Sequence, residues 1–173
     1  LAQYRAVMVA YGIRHALLVG PNSGYGLDNR CLLDAVETGE GAFKGIAVVR
    51  PDAGRDELRA LHARGVIGVA FNASLLGAAY YAGCAPLLKA LADLGMLLSL
   101  QVERDQLVEL RPMLLDSGVR VLIDHCGRPA AGGGIDQPGF RVLLDLAATG
   151  RFAVKLSGHQ KFSASPPPFD DTR

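Results

Sequence analysis

Residues 121–129 read VLIDHCGRP, in which a run of branched apolar residues is followed at once by an aspartate and a histidine, with an arginine close behind. A continuous apolar run of this kind is typical of a strand that is covered on both faces. Ionisable groups directly after a buried strand are costly unless they meet water or a ligand. The stretch therefore predicts a buried strand whose end presents Asp124, His125 and Arg128 to a pocket.

Five more runs of the same kind recur along the chain, separated by segments with helical spacing. The five are HALLVG (15–20), FKGIAVV (43–49), VIGVAFN (66–72), MLLSLQV (96–102) and FAVKLSG (152–158). The run discussed above, RVLIDH (120–125), is the sixth. Strands that alternate with helices predict parallel pairing through right-handed crossovers, with each of the six strands followed by a helix on the outer face of the sheet. The strand starts are about 27 residues apart, close to the period of a (β/α)₈ barrel of ~250 residues.

The competing architecture is an open, doubly wound sheet, whose nucleotide-binding form carries GxGxxG after its first strand. Here the loop GPNSGYG (20–26) has Asn22 and Tyr25 at the second and third glycine positions, and no Gly-Lys-Ser/Thr follows. We therefore predict one α/β domain over residues 1–173 of TIM-barrel type, incomplete because six of eight βα units are visible. A small-molecule-binding protein with an open α/β sheet is the alternative.

The composition argues against nucleic acid and membranes as partners and favours a small-molecule substrate. The 173 residues are 50% hydrophobic and 20% charged with a net charge of +1, so there is no basic stripe for nucleic acid. The apolar runs are far shorter than the ~20 residues of a membrane span. Cys31, Cys84 and Cys126 are odd in number and lie far apart, which predicts reduced thiols and a cytoplasmic location.

Polar residues collect where the predicted strands end, and in parallel α/β folds these ends carry the chemistry. We predict a pocket formed by Asn22, Ser23, Asn72, Gln101, His125, Arg128, Ser157 and Lys161, in which all but His125 bind the substrate.

Side-chain alternation along the fifth strand suggests which groups face this pocket. If His125 faces the barrel interior, Val121 and Ile123 do also, and Asp124 turns toward the helices as a structural acceptor. Lys155 is expected to pair with a carboxylate.

VLIDHCGRP and FAVKLSG, together with GLDNRCLLDA (26–35) and GVIGVAFN (65–72), resemble the amidohydrolase superfamily. The similarity is to the amidohydrolase-2 branch, which includes the 2-pyrone-4,6-dicarboxylate lactonases. The resemblance implies a (β/α)₈ barrel that hydrolyses a lactone, a related ester or an amide by water attack on the carbonyl of a small carboxylate-bearing compound. It makes His125 the catalytic residue that polarises the carbonyl, and Arg128 and Lys161 the groups that orient a carboxylate. Asn22 or Ser23 would contact the substrate.

Two departures from that family qualify the resemblance. Ile67 and Ala70 stand where the dicarboxylate lactonases have paired arginines, which argues against the pyrone dicarboxylate as substrate. The H-x-H pair of the family's first strand and the Trp-Gly aspartate of its last strand are not in this sequence. We therefore expect these residues to correspond to strands two to seven of the barrel.

Three expectations follow for the chain and for the full-length protein. The 173 residues alone are expected to be inactive, whereas the full-length protein is a hydrolase; the alternative is a truncated, non-catalytic barrel module. A homo-oligomer formed through open sheet edges is also expected. His125 is the one candidate metal ligand at a strand end, and the resemblance leaves a divalent metal such as zinc open for the full-length protein.

Overall fold

The computed structural model describes residues 1–172, in which six strands form one parallel sheet. The strands are β1 (Ala16–Val19), β2 (Phe43–Ala47), β3 (Val66–Asn72), β4 (Leu97–Gln101), β5 (Arg120–Ile123) and β6 (Phe152–Val154). Each strand pairs with the strand that follows it in the chain. This order has no reversal, so it excludes the doubly wound alternative and confirms a curled half-barrel of the TIM type.

Six α-helices of eight residues or more are found in the same range. They are α1 (Ala2–Ala10), α2 (Arg30–Glu37), α3 (Arg55–Ala63), α4 (Ala85–Asp93), α5 (Gln106–Ser117) and α6 (Pro138–Ala147). One of α2–α6 follows each of β1–β5, as the barrel prediction requires. An irregular turn, Asn22–Tyr25, follows β1, and a single-turn helix, Ala73–Leu76, comes directly after β3. No helix among residues 1–172 is long and apolar enough to cross a membrane.

The expectation that a helix also follows the sixth strand is wrong for the residues described. Only the short 3₁₀ turns His159–Lys161 and Asp170–Thr172 come after β6. The three consecutive prolines at 166–168 explain part of this difference, because proline removes a backbone donor and restricts the residue before it to extended geometry.

The core has two layers, separated by the sheet. The larger layer lies between the sheet and the helices, where Leu88 and Leu107 of the helices pack in the same cluster as Leu98 and Ile123 of the strands. The smaller layer contains only residues of the strands and of their ends. Its members are Leu17, Ile46, Val48, Ile67, Ala70 and Leu97. Because no helical residue joins this second cluster, it marks the face of the sheet that becomes the barrel interior.

Candidate active site at the carboxyl ends of the strands

The predicted site residues lie at one end of the sheet, because parallel strands all finish at the same edge. Asn72 and Gln101 end β3 and β4 and are partners in register. His125 lies two residues beyond β5, and Ser157 lies three residues beyond β6. The strands themselves are shorter than predicted at this edge: β5 ends at Ile123 and β6 at Val154, so neither His125 nor Ser157 is part of a strand.

His125 lies in a left-handed turn, which the sequence did not predict. Four consecutive residues have positive φ: His125 (54°), Cys126 (56°), Gly127 (70°) and Arg128 (45°). Hydrogen bonds on both sides hold this turn, from the Cys126 N–H to the Lys155 carbonyl (3.0 Å) and from the Arg104 N–H to the Arg128 carbonyl (2.9 Å). Left-handed backbone at non-glycine residues is strained, and such strain concentrates at functional sites.

The imidazole of His125 is half-buried beside β6. Its Nδ1 lies 3.2 Å from the hydroxyl of Ser157. Burial lowers the pKa of His125 below its usual value, and the charge of Asp124 opposes this effect. The cationic groups of Lys161, Lys155 and Arg128 lower that pKa further. The surroundings therefore favour a neutral ring.

Asp124 faces the barrel interior, contrary to the sequence prediction. Val121 and Ile123 belong to the helix-side core, so the alternate position, Asp124, points to the other face. Its carboxylate is buried and forms an ion pair with Lys155 (Nζ–Oδ1, 2.7 Å), while the Ser99 hydroxyl donates to the same oxygen at 3.4 Å. The prediction counted alternation from His125, whose left-handed backbone interrupts it. The expected pairing of Lys155 with a carboxylate is confirmed.

Arg128 and Lys161 line a common cavity of about 390 Å³. Arg104 also lines this cavity, and Glu103 supplies the carboxylate among its walls. The Arg128 guanidinium pairs with Glu103 (Nη2–Oε2, 3.2 Å), but its buried Nε has no hydrogen-bond partner among the described residues. Three cationic side chains face one carboxylate, so the cavity suits an anionic group.

The other predicted site residues do not line this cavity. The Asn72 side chain caps the helical turn that follows it, since its Oδ1 accepts from the Ser74 hydroxyl (2.8 Å) and the Leu75 N–H (3.1 Å). Asn22 and Ser23 lie in the irregular turn after β1, where Ser23 is exposed. Gln101 is half-buried at the end of β4. The structure thus groups His125 with Ser157 and Arg128 with Lys161.

Sequence reasoning missed Glu103 and Arg104. Both follow β4 at its carboxyl end, in the run Glu-Arg-Asp that comes directly after a buried valine. The rule that identified the other strand ends would have found them had it been extended three residues beyond Gln101.

A larger groove of about 770 Å³ lies on the helix side, between α3 and α4. Arg55 of α3 and Asp93 of α4 form an ion pair in its wall (2.9 Å), and Tyr80 and Lys89 line it as well. None of the predicted site residues reaches it. We therefore assign the site to the smaller cavity, which lies at the carboxyl ends of the strands.

The described residues do not supply a metal site. Residues 1–172 contain no group of three or more histidine, cysteine, aspartate or glutamate side chains that could hold an ion. Catalytic zinc takes three protein ligands, so the described residues do not by themselves form a catalytic zinc site.

Known proteins resemble this chain over nearly its whole length. The 4-sulfomuconolactone hydrolase of Hydrogenophaga intermedia is 33% identical, over 98% of this chain and 56% of that protein. The crystal structure of a protein described as a 2-pyrone-4,6-dicarboxylic acid hydrolase from Pseudomonas putida superposes with a TM-score of 0.81 at 34% identity, covering 96% of this chain and 61% of the other. The crystal structure of a second such protein, from Acinetobacter baumannii with citric acid bound, superposes with a TM-score of 0.84 at 29% identity. The match covers 95% of this chain and 62% of the other.

The chain spans a little over half the length of the curated relative described above. The family model described as amidohydrolase matches residues 1–173. That match, the identity to the lactone hydrolase and the parallel half-barrel all agree with the motifs at the ends of β5 and β6. The chain belongs to the amidohydrolase family.

Proposed function

We propose that the protein is a hydrolase that opens a lactone or related ester bond in a small organic acid. The observation that carries this proposal is the cavity at the ends of β4 and β5, where Arg104, Arg128 and Lys161 face the single carboxylate of Glu103 close to His125. The relatives named as lactone hydrolases support the bond type.

In this proposal His125 stabilises the developing charge on the substrate carbonyl oxygen. Water attack on a lactone carbonyl produces a tetrahedral oxyanion, and a fixed N–H donor lowers the energy of that species. A neutral imidazole can supply such a donor, and the surroundings of His125 favour its neutral form.

Arg128 and Lys161 bind the anionic group of the substrate and so hold its carbonyl in place. The buried Nε of Arg128 lacks a hydrogen-bond partner in the described residues, and a bound carboxylate would provide one. Orientation of this kind raises the rate by fixing the reacting groups in advance of the chemical step.

The apolar interior face of the sheet favours a substrate that is uncharged apart from its one anionic group. Ile67 and Ala70 belong to the apolar cluster on the interior face of β1–β4, where a second carboxylate would lose its hydration without a cationic partner. We therefore propose that the preferred substrate carries its anionic group at one end, and that the pyrone dicarboxylate is a poor substrate.

Hydrolysis of a panel of lactones by the natural polypeptide that contains residues 1–173 tests this function. The panel holds 4-sulfomuconolactone, 2-pyrone-4,6-dicarboxylate and an uncharged lactone of similar size. Charged hydrogen bonds contribute about 1.5–3 kcal/mol, so Lys161→Met should raise KM for an anionic lactone about ten- to a hundredfold. Lys89→Met, which changes an exposed lysine on α4 that does not line this cavity, is the matched control.

Hydrolysis of none of the lactones would refute the proposal and leave a non-catalytic barrel module. Equal kcat/KM values for charged and uncharged lactones would refute the anion-binding role of the cavity. A cytoplasmic location is part of the proposal, since Cys31, Cys84 and Cys126 are free thiols.

A further inference from the structure

The Nδ1 nitrogen of His125 has a hydrogen-bond partner within the protein, the hydroxyl of Ser157. The His125 Nδ1 and the Ser157 Oγ are 3.2 Å apart, although the two residues are 32 positions apart in the chain. The contact occupies Nδ1 and leaves Nε2 as the ring nitrogen available to a ligand. Ser157 was predicted to contact the substrate, but its position suggests that it acts on the histidine.

Gly158 makes this contact close. Its φ of 71° lies in the left-handed region that glycine adopts at little cost. A Cβ at this position would lie 2.7 Å from His125 Cγ, closer than real carbon atoms approach. The imidazole therefore packs directly on the backbone of residue 158, and this packing restricts the ring to one orientation.

Burial and the cationic groups around the ring favour its neutral form. The nearest carboxylate, that of Asp124, is already paired with Lys155 at 2.7 Å. Lys155, Lys161 and Arg128 all act on the imidazole as positive charges. A neutral imidazole has one N–H and one acceptor nitrogen, and the hydrogen bond made by one nitrogen fixes the role of the other.

We propose that Ser157 is a positioning residue whose hydroxyl donates to Nδ1 of His125, so that the neutral ring presents Nε2–H to the carbonyl oxygen of the substrate. This inference rests on the function proposed for His125. It replaces the earlier prediction that Ser157 binds the substrate. Gly158 has a supporting role, because the absence of its side chain lets the ring approach.

Imidazole ¹⁵N NMR of the natural polypeptide tests the inference without any substrate. The chain described here has four histidines, and the signals of His125 are assigned by their loss in His125→Asn. At a pH where the ring is neutral, the wild type should show Nε2 protonated and Nδ1 as acceptor. Ser157→Ala should shift the population toward the other tautomer, and Ser157→Thr should restore it.

Kinetics on an anionic lactone provide the second readout. Loss of a hydrogen bond of about 1 kcal/mol should lower kcat about fivefold in Ser157→Ala, with KM changed less than about twofold. Ser117→Ala is the matched control, because it also removes a serine hydroxyl, but one that donates to the Leu114 carbonyl at the end of α5 and does not touch His125.

A wild-type ring with Nδ1 protonated would overturn the inference, and so would a His125 spectrum that is unchanged in Ser157→Ala. A rise in KM with unchanged kcat would return Ser157 to substrate binding. If no lactone is hydrolysed, the proposed function fails, but the tautomer measurement on the wild type still decides whether Ser157 orients the ring.

Discussion

Replacement of Lys155 by methionine should destabilise the fold substantially, because it leaves the carboxylate of Asp124 buried without its cation. Asp124 is 4% exposed, and its remaining side-chain partner is the Ser99 hydroxyl at 3.4 Å. Removing one partner of a fully buried ion pair costs about 3–5 kcal/mol. The Lys155 side chain is 30% exposed, so water can partly solvate the carboxylate, and we expect a loss of about 2–3 kcal/mol.

Urea and thermal unfolding of the natural polypeptide that contains residues 1–173 measure this loss. At about 2–4 °C per kcal/mol for a domain of 150–250 residues, the melting temperature should fall by about 4–12 °C. Adding Asp124→Asn to Lys155→Met removes the unpaired charge and should recover at least half of the loss. Lys89→Met, which changes an exposed lysine on α4, should change stability by less than about 0.5 kcal/mol. If Lys155→Met is as stable as Lys89→Met, the ion pair does not stabilise the interior as argued.

Further predictions concern the turn, pH and assembly. Gly127→Ala should cost about 1–3 kcal/mol in urea unfolding, because φ is 70° and the new Cβ would lie 2.9 Å from the Leu143 Cδ1; unchanged stability would contradict the strained turn. Since the pKa of folded His125 is lowered, the unfolded chain binds this proton more readily. The neutral His125 should therefore contribute fully to the free energy of unfolding above about pH 6.5, and this contribution should be lost as the pH falls below that value. His125→Asn should flatten this part of the plot of stability against pH. The outer edges of β1 and β6 pair with no strand among residues 1–172, so light scattering of the 173-residue chain should show oligomers or aggregates, and a monodisperse monomer would contradict this.

The sequence predicted the elements of the fold well, because their signals are local and repeated. Each apolar run contains a strand, and four of the helices between the runs end near a glycine. Gly65, Gly95, Gly118 and Gly150 all have positive φ, as helix-ending glycines commonly do. The failed GxGxxG match also separated the two architectures correctly, as the consecutive strand order shows.

The details of the site were predicted less well, because they depend on backbone geometry that has no sequence signal. His125, Cys126 and Arg128 adopt positive φ although none is a glycine, and the prediction carried strand alternation through them. This error placed Asp124 on the wrong face. Of the charged residues that line the cavity, Arg128 and Lys161 were predicted together, whereas Glu103 and Arg104 were missed.

The most direct test of the proposed active site is the kcat of His125→Asn on an anionic lactone that the natural polypeptide hydrolyses. Asparagine is uncharged and polar, but it cannot place a donor at the Nε2 position of the ring. Loss of one donor to a developing oxyanion lowers kcat about 10²–10³-fold, and we predict a fall in this range with little change in KM. A variant that keeps kcat within about threefold of the wild type would show that His125 does not act on the carbonyl, and would contradict the site assigned here.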